Sequence, residues 1–207
     1  LVKKPDSIKE FKDFLNLITL KDRDSLLYGL YHITYEDIRN YDVKCRNCKK
    51  DFSVTVTASD TFNFNSYPGD DILTRRVRVD LPKSKGVSAY IKQPTLQDEL
   101  ESIKRMTSRP GITMDIITET LIIEKFEQEV ENSPSKEPLI FTERQDIIDA
   151  YRSLPAKDKR VIYEKFNEEF GKYGIELKMQ VFCQHCGTED IVNIDLVENF
   201  FRMVYTS

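Results

Sequence analysis

Two short cysteine pairs, Cys45-Arg46-Asn47-Cys48 and Cys183-Gln184-His185-Cys186, hold every cysteine of the chain, and 134 residues lie between them. A Cys-x-x-Cys pair suits a tight knuckle that offers two sulfurs to one metal, and two such pairs complete the tetrahedron that zinc prefers. Any fold that uses them together must return two distant stretches to one point. Closing a loop of that length costs about 4 kcal/mol, whereas a structural zinc site releases on the order of 10–16 kcal/mol in peptides. The metal can therefore hold the pairs together, provided that the intervening segment folds on its own. The expected ligands are Cys45, Cys48, Cys183 and Cys186 around one structural, tetrahedral zinc ion. Iron bound rubredoxin-style would use the same four thiolates.

At 207 residues, with 32% charged and 40% hydrophobic residues and a net charge of −4, the chain has an ordinary globular composition, sufficient for one domain or two small ones. No apolar run approaches the roughly 20 residues needed to cross a bilayer. Residues 1–20 mix lysines and acids where a signal peptide would need an apolar core. The expectation is a reducing, intracellular compartment, in which cysteine pairs serve as metal ligands rather than disulfides. The acidic balance also argues against a general nucleic-acid coat. Two basic runs stand out, Lys44, Arg46, Lys49 and Lys50 around the first knuckle and Arg75, Arg76, Arg78, Lys83 and Lys85 further on. The first is explained by charge balance beside four thiolates, and no aromatics interleave with it as on a stacking platform.

Periodicity predicts a helix opened by a Ser7/Glu10 capping box, a second over 22–32, and a short third from Thr34 with Asp37. Alternation then predicts strands through Tyr41 and Val43 and through Phe52, Val54 and Val56, on either side of the first knuckle. Residues 58–71 read as loop, 72–81 as a strand ended by Pro82, and Thr95 with Asp98 as the cap of another helix. Residues 112–130 fit either helix or strand, and 131–138 read as a linker. Thr142 and Gln145 cap a further helix, a longer one starts near Ala156 and ends at Gly171, and strands at 175–182 and 189–196 flank the second knuckle. A short helix ending in Phe200-Phe201 closes the pattern.

The two ends correspond. Arg23, Leu27 and Asp37 sit 121 positions before Arg144, Ile148 and Asp158, and Val43, Cys45, Cys48 and Val54 sit 138 positions before Val181, Cys183, Cys186 and Val192. The predicted architecture is α+β: a four-cysteine zinc ribbon formed by two distant knuckle hairpins, one from each of two helix-helix-strand-knuckle-strand halves, with an inserted α/β subdomain. The corresponding segments are 1–57 with knuckle 1, 58–141 as the insertion and linker, and 142–207 with knuckle 2 and the C-terminal segment.

Catalytic signatures are missing. A catalytic zinc keeps a coordination position for water, and four cysteines leave none. No Gly-x-x-x-x-Gly-Lys, Gly-x-Gly-x-x-Gly or Gly-x-Ser-x-Gly segment occurs, nor a His-x-Glu before a Pro-Cys-x-x-Cys. A thioredoxin-type pair would open a helix, whereas both pairs here lie between strand patterns. His185 reads as an exposed loop residue, and His32, beside Tyr28 and Tyr31, as a surface or half-buried one. The chain is therefore read as a non-enzyme with no small-molecule substrate. Its surplus apolar groups, Phe62, Phe64 and Tyr67 in the loop and Leu196, Phe200, Phe201 and Tyr205 at the end, either pack back on the ribbon or dock a partner.

Segment 79–90 (VDLPKSKGVSAY), followed by Pro94-Thr95-Leu96, resembles a Leu-Pro-Ser-x-Gly…Tyr…Pro-Leu signature, with Lys83 inserted before Ser84. The second knuckle reads Cys-x-x-Cys-Gly-x-Glu and runs through Val192, Ile194 and Leu196 into Phe200-Phe201. Together these features make the chain similar to the baseplate hub assembly proteins of T-even-type tailed bacteriophages, which are contractile-tail myophages. The first knuckle departs from the pattern, having Lys49 where a glycine follows in the second. The resemblance implies a late viral protein, active in the host cytoplasm during assembly and a candidate component of the virion tail baseplate. Its implied partners are other baseplate hub proteins or the tail-length template. The alternative reading is a nucleic-acid-binding zinc-ribbon regulator.

Overall fold

The computed structural model describes residues 8–34, 38–57, 64–67, 69–106, 111–130, 137–176 and 178–193. They divide into two compact units, one drawn from Leu1–Leu20 and Tyr67–Lys172, the other from Lys21–Ser66 and Tyr173–Ser207. This division runs elsewhere than the segments 1–57, 58–141 and 142–207.

The first unit is built on a four-stranded antiparallel sheet of order β4-β5-β6-β7, with β4 Val77–Asp80, β5 Val87–Ile91, β6 Ile123–Gln128 and β7 Leu139–Phe141. The register aligns Val79 with Ala89, Ala89 with Phe126 and Phe126 with Phe141, so one face carries an apolar row. Helices α5 (Arg144–Ser153) and α6 (Ala156–Phe170) cover that row with Ile147, Tyr151, Ile162 and Phe170. The opposite face is polar, as an antiparallel sheet allows. There Tyr90 donates to Glu127 at 2.8 Å, and Lys125 lies 2.6 Å from Glu127 and over the Tyr90 ring.

The repeat therefore holds for the hairpins and fails for the helices. The predicted second pair of helices, α5 and α6, belongs to this sheet, because Ile147, Tyr151, Ile162 and Phe170 find their apolar partners there. The sheet's inner strand β5 was not read from the sequence, since its short run follows a loop rich in lysine.

Helix α3 (Leu96–Met106) opens on the predicted Thr95/Asp98 box: the Asp98 amide donates to Thr95 Oγ1 at 3.3 Å, and the Thr95 amide to Asp98 Oδ2 at 2.9 Å. The ambiguous stretch after 112 divides into α4 (Met114–Leu121) and β6. Other caps differ from expectation. Helix α1 (Phe11–Leu17) starts after Glu10, with Asp13 accepting the Lys9 and Glu10 amides at 2.9 Å each, and Ser7 lies outside the described residues. Helix α5 starts after Glu143, and Gln145 reaches forward to Asp149 at 2.8 Å instead of back to a cap.

The signature loop between β4 and β5 is held from inside. Asp158, fully buried in the first turn of α6, accepts the Lys83 amide at 2.9 Å, the Ser84 amide at 2.9 Å and the Ser84 hydroxyl at 2.8 Å. Position 83 contributes its backbone here while its side chain is exposed, which makes the lysine at this point structurally tolerable.

The second unit contains most of α2 (Leu20–Thr34), hairpin β1/β2 (Ile38–Lys44 and Asp51–Thr57), the short pair β3/β8 (Phe64–Asn65 and Gly174–Ile175) and hairpin β9/β10 (Lys178–Phe182 and Glu189–Asn193). Thr34, the last residue of α2, donates to the Leu30 carbonyl at 2.7 Å, and the short third helix expected from Thr34 with Asp37 falls on residues outside those described. Residues 35–37 lie outside the described residues, as do Phe62 and the C-terminal segment from 194 with Leu196, Phe200, Phe201 and Tyr205. Val43, Phe52, Met179 and Val181 form the core of this unit with Cys45 and Cys183, and Tyr28 of α2 packs against it.

Candidate metal centre

Each knuckle follows from the strand before it. β1 ends at Lys44, and Cys45 then turns the chain: its amide donates to the Lys50 carbonyl at 3.0 Å, and its carbonyl accepts the Lys49 amide at 3.0 Å. The second hairpin repeats both bonds 138 positions later, from the Cys183 amide to Thr188 at 3.0 Å and from the Gly187 amide to Cys183 at 2.8 Å. The geometry requires a left-handed residue just after the second cysteine, with φ 69° at Gly187 and φ 62° at Lys49. A lysine is strained in that region and a glycine is not. The missing glycine of the first knuckle is thus a departure in sequence but not in backbone shape.

The four sulfurs converge. Cys45 Sγ lies 3.6 Å from Cys186 Sγ, Cys48 Sγ lies 3.7 Å from Cys183 Sγ, and all four fall within 4.8 Å of one another. These separations are far beyond a disulfide bond, and all four cysteines are free thiols. A metal held at zinc–sulfur distances by a tetrahedron of thiolates sets sulfur–sulfur edges of about 3.8 Å. The donor set therefore fits a tetrahedral, thiolate-loving ion. Cys45 and Cys183 are buried, Cys48 is half-buried and Cys186 is exposed.

Electrostatics leads to the same point. Hydrogen bonds with the Thr188 hydroxyl and backbone bring the Cys186 thiol down to about 6. Cys48 is pushed up to about 11: the Lys50 amide acts to lower it, but burial and the three neighbouring thiols outweigh that amide. Four thiolates in contact cannot all hold their charge unaided, and a central cation removes the conflict.

The surroundings link the hairpins through groups that no spacing rule identifies. Asn47 Nδ2 donates to Thr188 Oγ1 at 3.0 Å, Gln184 Nε2 to the Ser53 carbonyl at 3.1 Å, and Arg46 pairs with Asp190 at 3.3 Å. His185 is exposed, as expected of a loop residue, and its Nε2 lies 3.1 Å from the Asp51 carbonyl, so it ties one hairpin to the other. His32 falls in α2. Of the second basic run, Arg75 pairs with Glu169, Arg76 with Glu124 and Arg78 with Asp80.

The family described as T4 bacteriophage base plate protein matches residues 5–202, a span that takes in all four cysteines and the clamped loop at 82–86. The chain belongs to this family. No curated protein and no solved structure matches it. Membership makes the chain a T4-type baseplate protein, with phage structural proteins as its setting. Among the described residues, no helix is long and apolar enough to cross a membrane.

Proposed function

We propose that this baseplate protein is a non-enzymatic, zinc-stabilised factor in assembly of the tail baseplate hub, acting through contacts with other hub proteins or the tail-length template. The family match carries the reading. Cys45, Cys48, Cys183 and Cys186 would hold one zinc ion as a ribbon made from two facing hairpins, and the metal would supply structure alone, since four thiolates leave no vertex for a reacting water. Assembly takes place in the host cytoplasm, and the protein then stays in the virion baseplate.

The outer faces of the two hairpins favour protein contact. On the first, Ser53 donates to Asp42 and Thr55 to Asn40, a polar ladder. On the same face of the second, Ile191 stands at the position equivalent to Ser53 and Phe182 at the one equivalent to Lys44, 57% and 61% exposed. Leu26, Leu30 and Ile33 of α2 are exposed as well, at helical spacing. The nucleic-acid reading loses support from the ion pairs that engage Arg75, Arg76 and Arg78.

Affinity purification from infected cells followed by mass spectrometry tests the proposal. Hub proteins or the tail-length template are expected to co-purify, and a protein that never associates with any tail component refutes it. A nucleic-acid role predicts binding that weakens steeply with salt.

A further inference from the structure

The apolar row that α5 and α6 cover is not the last on its face of the sheet. Two residues further along the strands, Val87, Gln128 and Leu139 form the next row, in which Gln128 is exposed and Leu139 is 54% exposed. A cavity of about 410 Å³ opens here between the sheet and α5. Val87, Phe126 and Phe141 line it from the strands, and Ala150 and Leu154 from the helix and its C-terminal end; all five are apolar and at least half-buried. The sheet also stops beside it: among the described residues, β7 pairs with β6 on one side and with no strand on the other. Such an edge offers backbone donors and acceptors to an added chain. Ile140, on the opposite face of β7, is 54% exposed as well, so this strand shows apolar side chains on both faces.

Charge decides what kind of chain fits. Asp146 and Asp149 line the cavity from successive turns of α5, and both are exposed. No lysine or arginine lines it; Lys83 and Lys85 flank the lining residue Ser84 without lining it themselves. Asp149 accepts from the neutral Gln145 at 2.8 Å, which leaves its charge unbalanced. Like charges at this helical spacing repel each other, and a cation placed beside them relieves both. An apolar wall under an acidic rim matches lysine or arginine, whose aliphatic stem lies on apolar surface while the charged head stays at the wet edge. An extended chain added to β7 sends every second side chain to the face of Leu139 and Phe141, where the cavity lies.

We propose that the edge of β7 and the cavity beside α5 dock an extended segment of a partner protein, added as a fifth strand, with one lysine or arginine side chain seated between the apolar wall and Asp146 and Asp149. That the occupant is a protein rests on the assembly reading; the shape and charge of the groove do not. The full-length, metal-loaded protein, labelled with nitrogen-15, is titrated at constant ionic strength with acetyl-Thr-Val-Lys-Val-Thr-amide, with analogues carrying norleucine or glutamate in place of lysine, and with butylamine. The lysine peptide is expected to give saturable shifts of the backbone amides at 139–141 and 146–150, with the norleucine analogue about fivefold weaker, as two exposed ion pairs allow, and the glutamate analogue weaker still. Asp146→Asn with Asp149→Asn, both at exposed positions, is expected to abolish the preference for lysine while leaving the affinity for norleucine unchanged. No saturable shift at 139–141, equal binding of the glutamate analogue, or butylamine as tight as the peptide overturns the proposal. Shifts of the same amides that grow with protein concentration alone assign the edge to a second copy and also overturn it. Peptide binding without recovery of tail proteins from infected cells refutes the assembly role and not the groove, and recovery without peptide binding does the reverse.

Discussion

Replacing Asp158 with alanine should cost the first unit far more than a first-turn helix substitution ordinarily does. The carboxylate is fully buried and accepts three hydrogen bonds of 2.8–2.9 Å, two from backbone amides and one from a hydroxyl. Bonds to a charged acceptor contribute about 1.5–3 kcal/mol each, so three could sum to well above 5 kcal/mol. The full sum is not reached, because Lys83 is exposed and Ser84 half-buried, and water can recover part of their bonding once the carboxylate is gone. An expected loss of about 3 kcal/mol remains, which for a urea slope near 2 kcal/mol/M lowers the unfolding midpoint by about 1.5 M. Asp158→Asn keeps one acceptor oxygen and turns its amide toward the other donors, so it should fall between the two. Urea unfolding of the metal-loaded protein gives the magnitude, and hydrogen exchange gives the location. The Lys83 and Ser84 amides should lose protection while those of Cys45 and Cys183 keep theirs. A loss below about 1 kcal/mol for Asp158→Ala, or unchanged exchange at positions 83 and 84, would show that the clamp does not hold the loop.

Four further outcomes are expected. Lys49→Gly should stabilise the protein by about 0.5–1 kcal/mol by relieving a left-handed lysine, and Gly187→Lys should cost about 1–2 kcal/mol although its Cβ would meet open space; denaturation midpoints that move the other way refute the strain argument. Elemental analysis should find one zinc per chain, and Cys183→Ser or a strong chelator should remove it together with exchange protection in both hairpins; retained protection would mean that the metal is dispensable. Asp98 is held below the ordinary carboxylate range, since Lys92 and the Thr95 amide and hydroxyl outweigh a burial that alone would raise it. Such a group adds stability above its unfolded value near 3.9, lost as pH falls through the folded value, so Asp98→Asn should show a smaller drop in urea midpoint on acidification below about pH 4 than the unaltered chain. Finally, Phe182→Ser with Ile191→Ser should leave metal content and thermal midpoint unchanged while reducing recovery of tail proteins in affinity purification; unchanged recovery would exclude this face as the contact.

The candidate site was legible because the spacing of chelating residues is local. Two residues between cysteines is a property of a turn, and the turn forms the same way whatever lies between Cys48 and Cys183. The Thr95/Asp98 cap and the helix from Ala156 were legible for the same reason, since both depend on neighbours three or four residues away. What the sequence could not disclose was ownership. Ile147, Tyr151, Ile162 and Phe170 are apolar at helical spacing in either setting, and only the row Val79, Ala89 and Phe126 determines where they are buried. Thr142 and Gln145 had the right spacing for a cap, but Gln145 had a competing acceptor in Asp149. Asn47 and Asp158 act on partners that lie far off in the chain, so no window of sequence could have marked them.

The distance between the cysteine pairs also bears on how the protein is made. At 5–20 residues per second, the second pair is synthesised roughly 7–27 s after the first. Throughout that interval the nascent chain exposes Cys45 and Cys48 as a two-thiol site unable to close a tetrahedron. Chains that stop early never acquire the other two ligands. A metal held by all four thiolates would thus report that translation has passed Cys186, since both hairpins must be finished before such a site can close.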